Sequence, residues 1–175
     1  MPAAPNSRRQ LTLFVAEPWR SRLNGFRQTL DPVQASLISA HVTLAREDEI
    51  GLLDPQSLFK RVASWSHGPI SLAFGQPQRF FEHGVHLPCE QGQERFLQLR
   101  QWLLQDQGAR AHEAHLTLAH PRNPRSLGNT EVALSALPRS IQLQFASVSL
   151  IEQIGTSPWR VLQESNLRVS TASGA

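Results

Sequence analysis

The segment Ala40-His41-Val42-Thr43-Leu44-Ala45-Arg46 returns 74 positions later as Ala114-His115-Leu116-Thr117-Leu118-Ala119-His120. Each copy reads as a strand, because apolar and polar residues alternate along it. Residues two apart on a strand point to the same side. His41 and Thr43 therefore share one face, and Val42 and Leu44 share the other, which is expected to be buried. The same parity puts His115 with Thr117 and Leu116 with Leu118. Chance supplies about 0.04 such tetrapeptides in a chain of this composition, so a matched pair marks function rather than two satisfied core histidines.

Around these segments, the 74-residue offset carries Leu11 onto Val85 and Leu13 onto Leu87. It also carries the helix around Leu23 onto the helix around Leu97. Residues 10–16 and 84–88 read as strands. Pro18 opens a helix with an apolar stripe of Trp19, Leu23, Phe26 and Leu30, and Asp31-Pro32 restarts it as far as Ser39. Gln91 to Gln107 reads as the matching helix, with Phe96, Leu99 and Leu103 on one face. Asp54-Pro55 starts a helix through Trp65, a short helix is expected near 131–137, and strands over 148–153 and 159–165. At an offset of 71, Ile70-x-Leu72-x-Phe74 falls on Ile141-x-Leu143-x-Phe145. These two read as equivalent strands of the repeat, with 79–83 as the neighbour of the first.

A strand, a helix and an HxTL strand thus occur twice. The expected class is α+β: two ferredoxin-like lobes with pseudo-twofold symmetry, their antiparallel sheets flanking a central cleft. Residues 1–9 read as a flexible tail, 10–165 as one domain of two interleaved lobes, and 166–175 as a polar tail.

Composition sets the outer bounds. With 175 residues, 40% hydrophobic and 18% charged, the chain is globular rather than disordered. No apolar run approaches the roughly 20 residues of a membrane helix, and MPAAPNSRRQ has no apolar core of a secretory signal. A cytoplasmic protein without a membrane partner is expected. The single cysteine, Cys89, excludes an internal disulfide and a multi-cysteine zinc site. All 17 basic residues but Lys60 are Arg, and they are scattered. That pattern permits a local phosphate site rather than an extended nucleic-acid-coating surface.

In a pseudo-twofold pair of lobes the two HxTL strands face each other across the cleft. Two imidazoles and two hydroxyls then converge on one volume, a set suited to a tetrahedral phosphate. The hydroxyls donate to phosphate oxygens, and one imidazole serves as base while the other serves as acid. Two His with two hydroxyls make a poor metal site, so no metal is expected. His83-x-x-His86 and His112-x-x-His115 are spaced three apart, on opposite sides of a strand, and chelate badly. His112 reads as a surface residue or a support for His115. Cys89 follows Pro88 with no base nearby and reads as an inert thiol. Phe14, Phe81 and Trp159 are core residues first and base-stacking candidates second. Glu47-Asp48-Glu49 is expected to cap the following turn. No phosphate-binding glycine loop is present, so neither ATP nor another cofactor is implied.

The paired motifs, their spacing and the helix before each resemble the two-histidine (2H) phosphoesterase superfamily over about residues 10–165. The group most similar is the 2′-5′ RNA ligase-like, or RNA 2′,3′-cyclic phosphodiesterase, branch. The resemblance implies a metal-independent phosphodiesterase hydrolysing 2′,3′-cyclic phosphate ends of RNA or small cyclic nucleotides to 2′-phosphates. His41 and His115 would be general base and acid, in either order, and Thr43 and Thr117 would bind the phosphate. Two alternatives stay open: cleavage or reversible ligation of 2′-5′ linkages at the same site, and a non-catalytic RNA- or nucleotide-binding module. Many relatives carry a basic residue after each motif; here the candidates are Arg46 and Arg122. A monomer is expected.

Overall fold

The computed structural model describes residues 6–105, 111–129 and 137–169. The short helix expected near 131–137 falls outside them, apart from Leu137. The first half runs β1 (Ser7–Phe14), α1 (Trp19–Leu30), α2 (Pro32–Leu37), β2 (His41–Ala45), α3 (Glu47–Ile50) and α4 (Pro55–Ser64). It continues with β3 (Ile70–Phe74), β4 (Gln78–Phe80), β5 (Gly84–Gln91), α5 (Gln93–Leu104), β6 (His115–Ala119), β7 (Ile141–Phe145), β8 (Ser147–Ile154) and β9 (Arg160–Asn166).

Local chemistry sets the element boundaries. Asp31 accepts the Gln34 N–H and Asp54 accepts the Ser57 N–H, so α2 and α4 each begin with an acidic N-cap followed by proline. The turn from β5 into α5 passes through Gly92 at φ 90°, where a Cβ would stand 2.2 Å from the Ser71 carbonyl oxygen. Only glycine fits there. The β2 and β6 strands share one burial pattern: the histidine and threonine half-buried, the two flanking leucine or valine positions fully buried.

The strands form two antiparallel sheets. One has the order β2-β1-β8-β9; in the other, β5 is flanked by β6 on one side and by β3 and β4 on the other, with β7 beyond β3. In each sheet the HxTL strand lies beside the strand that precedes its helix. The two HxTL strands, one from each sheet, pack against each other. A single apolar core runs through both lobes, with Leu13, Val42, Leu44, Leu87, Leu116 and Leu118 among its members. No helix among the described residues is long and apolar enough to cross a membrane.

Four expectations from the sequence need correction. The strand β1 begins at Ser7, inside the stretch read as a flexible tail, because Arg8 and Arg9 pair with Gln153 and Glu152 on β8. At the other end, residues 166–169, read as part of a polar tail, are ordered into the fold: Asn166 ends β9, and Val169 bridges to His67. The segments Ile70–Phe74 and Ile141–Phe145 are not equivalents in opposite lobes. They are neighbours in one sheet, with Leu72 opposite Leu143. Two central strands buried on alternate residues carry the same pattern whether they are related by symmetry or by pairing. Finally, β4 pairs with β5 rather than β3.

Candidate active site

Each histidine of the pair is held in the same way. The Nδ1–H of His41 donates to the Ser39 carbonyl at 2.8 Å, and the Nδ1–H of His115 donates to the Glu113 carbonyl at 2.9 Å. Both rings thereby carry the proton on Nδ1 in the neutral form and leave Nε2 as the working nitrogen. The strand entry is mirrored too. The Ala40 N–H donates to Asn24 Oδ1 at 2.8 Å, and the Ala114 N–H donates to Gln93 Oε1 at 2.8 Å. Asn24 and Gln93 lie on α1 and α5, the helices preceding the two motifs. Thr43 and Thr117 are half-buried, and neither hydroxyl has a hydrogen-bond partner among the described residues.

The two lobes are pinned together around these strands. The Nε2–H of His112 donates to the Thr43 carbonyl at 3.1 Å, and Arg100 of α5 donates to the next carbonyl, that of Leu44. Arg100 is almost wholly buried and pairs with Glu49 of α3 at 2.5 Å. From the other direction, the buried Asp31 carboxylate accepts the His120 N–H at 2.9 Å and the Asn123 side-chain amide at 2.8 Å, fixing the chain just beyond β6. The acidic run therefore does more than cap a turn. Glu49 accepts the Arg46 N–H as expected, but also joins the lobes through Arg100.

Burial and neighbouring cations both act on the first motif. Burial holds the His41 pKa down to about 4 against the Ser39 hydrogen bond, and the charges of Arg27, His115 and His120 push the same way. Arg27 is itself a buried cation, its pKa drawn down to about 10 by burial despite the pull of Asp31. Its guanidinium donates to the Ile38 carbonyl at 2.6 Å, three residues before His41. His112 is held at about 4 by burial and then by the charge of Arg100.

His115 stands in an aromatic cluster that sequence parity did not reveal. The His86 and His112 rings lie 5.3 and 5.8 Å from it, and Phe80 stacks on His86 at 4.5 Å. His86 faces Thr117 in the β5–β6 register, and its Nδ1 is buried without a hydrogen-bond partner among the described residues. The 74-residue offset places His86 on Thr12, which faces Thr43, so that offset was the available signal. Phe14 approaches His41 edge-on at 6.2 Å, and Phe80 approaches His115 at the same distance. Phe81 is exposed, and Trp159 lies under the Arg8 guanidinium. Burial raises the Cys89 thiol pKa, and its Sγ–H contacts the Gln91 carbonyl, in keeping with an inert thiol.

Arg46 and Arg122 are both exposed, Arg46 at the end of β2 and Arg122 in the loop after β6. Both lie within electrostatic reach of His120, whose pKa falls through burial first and then through Arg122, Arg8 and Arg46. Among the described residues no group of three His, Cys, Asp or Glu side chains is placed to hold a metal ion.

No family model and no curated protein sequence matches the chain. Its fold, by contrast, matches solved structures over nearly the whole length. E. coli LigT, solved with 3′-AMP, aligns at 18% identity and a TM-score of 0.65, over 93% of this chain and 98% of LigT. A protein solved as a phosphoesterase aligns at 16% identity and a TM-score of 0.63, over 93% and 99%. The TT0787 protein of Thermus thermophilus aligns at 16% identity and a TM-score of 0.58, over 93% and 99%. These structures share the two-lobe fold of this chain, and the likeness to them is one of fold.

Proposed function

We propose that this protein is a metal-independent phosphodiesterase opening 2′,3′-cyclic phosphate ends of RNA or nucleotides to 2′-phosphates. The observation that carries the reading is the mirrored pair of Nδ1 hydrogen bonds, which leaves one working Nε2 per lobe beside an unengaged threonine hydroxyl. That E. coli LigT has been solved with 3′-AMP, with NADP+ and with ATP supports a phosphate-bearing nucleotide as the substrate class.

His41 takes the part of the base. Neutral at pH 7, it has a bare Nε2 to take a proton from water as the oxygen attacks phosphorus. His115, entering the step as the imidazolium with both ring nitrogens protonated, then gives its Nε2 proton to the ribose O3′ as the P–O3′ bond breaks. The product is a 2′-phosphate with a free 3′-hydroxyl, and the proton gained by His41 is returned through solvent to His115. Thr43 and Thr117 donate to the non-bridging oxygens, where charge builds in the transition state.

The test is RNA ending in a 2′,3′-cyclic phosphate, incubated in EDTA with wild type and with His41→Ala and His115→Ala. Each histidine variant should lose at least about a hundredfold in turnover, and Thr43→Val or Thr117→Val about 3 kcal/mol of transition-state stabilisation. Wild-type turnover in either histidine variant, or loss of activity in EDTA restored by Zn²⁺, would sink the mechanism.

A further inference from the structure

Away from the histidine pair, a groove of about 830 Å³ runs between α4 and α5. Its walls carry Arg61, Arg95, His67, Trp65 and Trp102, and amide side chains fill the space between them. Among the described residues, none of those lining it is acidic. The nearest carboxylate on the same helix is Glu94, which accepts from Gln98 at the rim.

Two features make the groove more than a positive surface. Trp102 is 47% exposed, yet it is not loose: its indole N–H donates to the Arg61 carbonyl at 2.9 Å. The ring is thus fixed against α4 with much of its surface open to solvent. Trp65 is buried beneath, its indole N–H closed onto the Gly68 carbonyl at 2.9 Å, and His67 stands edge-on to it at 4.8 Å. The Arg61 guanidinium is also fixed in place, donating to the Leu103 carbonyl at 2.5 Å. A pre-positioned aromatic surface bordered by guanidinium groups matches a polyanion whose repeating units stack. Nucleic-acid strands are that class, because phosphates meet the cations and bases meet the ring.

We infer that the α4–α5 groove is a second binding site, taking the body of a single-stranded RNA. The choice of RNA over DNA rests on the cyclic-phosphate reading of the histidine pair; the groove's affinity for a single strand does not. Its residues are separate from those assigned to the chemistry, so it raises affinity for long substrates without altering the step at phosphorus.

The experiment uses the full chain and a 3′-hydroxyl-ended single-stranded RNA, which has no reactive end, followed by fluorescence anisotropy across a salt series. Trp102→Ala should weaken binding about tenfold, the loss of one stacked base. Arg95→Gln should weaken binding and reduce the salt slope by about one, the loss of one phosphate contact. Turnover of a mononucleoside 2′,3′-cyclic phosphate should stay at the wild-type rate in both variants. Unchanged affinity and salt slope in both variants would overturn the proposal. So would an abasic strand or an acidic peptide binding as tightly as the RNA, or tighter binding of DNA of the same sequence. Absence of turnover in the wild type would defeat the cyclic-phosphate reading, while the anisotropy arm still decides the groove.

Discussion

Asn24 holds the backbone N–H of Ala40 at 2.8 Å, one residue before His41, and Gln93 does the same for Ala114 before His115. The two amides do not correspond in the 74-residue repeat, since that offset carries Asn24 onto Gln98. Each lobe has reached the same fixture from a different turn of its helix. Each amide nitrogen is engaged as well, Asn24 Nδ2 donating to Ser39 Oγ at 2.7 Å and Gln93 Nε2 to the His112 carbonyl at 3.0 Å.

Both locked N–H groups belong to buried alanines. Asn24→Ala and Gln93→Ala each strand a buried donor and should cost about 1–3 kcal/mol in chemical denaturation. Loosening the strand entry should also lower kcat more than it raises KM. Asn24→Asp and Gln93→Glu keep the accepting oxygen and should restore most of the stability. A full loss in the acidic variants would show that the amide donors, not the acceptors, carry the effect.

The Arg100–Glu49 pair joins α5 of one lobe to α3 of the other, beside the Leu44 carbonyl. Burial raises the Glu49 pKa, but the Arg100 hydrogen bond and charge and the Arg46 N–H together bring it below its ordinary value. Arg100→Met leaves the partly buried Glu49 carboxylate with the Arg46 N–H but no cation, and should cost about 3 kcal/mol. The double variant Arg100→Met/Glu49→Leu should recover a large part of that in thermal or urea unfolding. Additive losses in the double variant would refute the pairing as the source.

The low pKa of His41 fixes the acid side of the pH profile. With the base neutral down to about pH 4, kcat/KM should hold as pH falls past 6.5 and drop only near 4 on that account. Arg27→Met removes a cation that disfavours the imidazolium and should move this limb to higher pH. The same depression bears on stability. The unfolded chain binds protons near pH 6.5 and the folded one only near 4, for His41 and His112 alike. Stability is therefore complete above about 6.5 and is lost as pH falls toward 4. Urea titrations of His112→Asn at pH 7.5 and 5 should show a smaller acid loss than wild type. An equal loss would contradict the assignment.

The two HxTL strands, their faces, the helix before each and the doubled order of elements were all legible in the chain alone. Each of these is local or periodic. Alternation at a period of two states which side of a strand is buried, and an exact repeat states which segments are alike. The acidic caps at Asp31 and Asp54 are legible for the same reason, since their partners lie three residues away. Strand neighbours, by contrast, emerged only with the packed fold. Ile70–Phe74 and Ile141–Phe145 have the alternation of symmetry mates and are hydrogen-bonded partners instead. Packing also brought His86, His112 and Phe80 around His115 and set Arg100 against the Leu44 carbonyl, 56 residues away. Such contacts leave no period in the chain. They depend on how two sheets pack at a shared seam, and that is fixed by the whole core at once rather than by any segment of it.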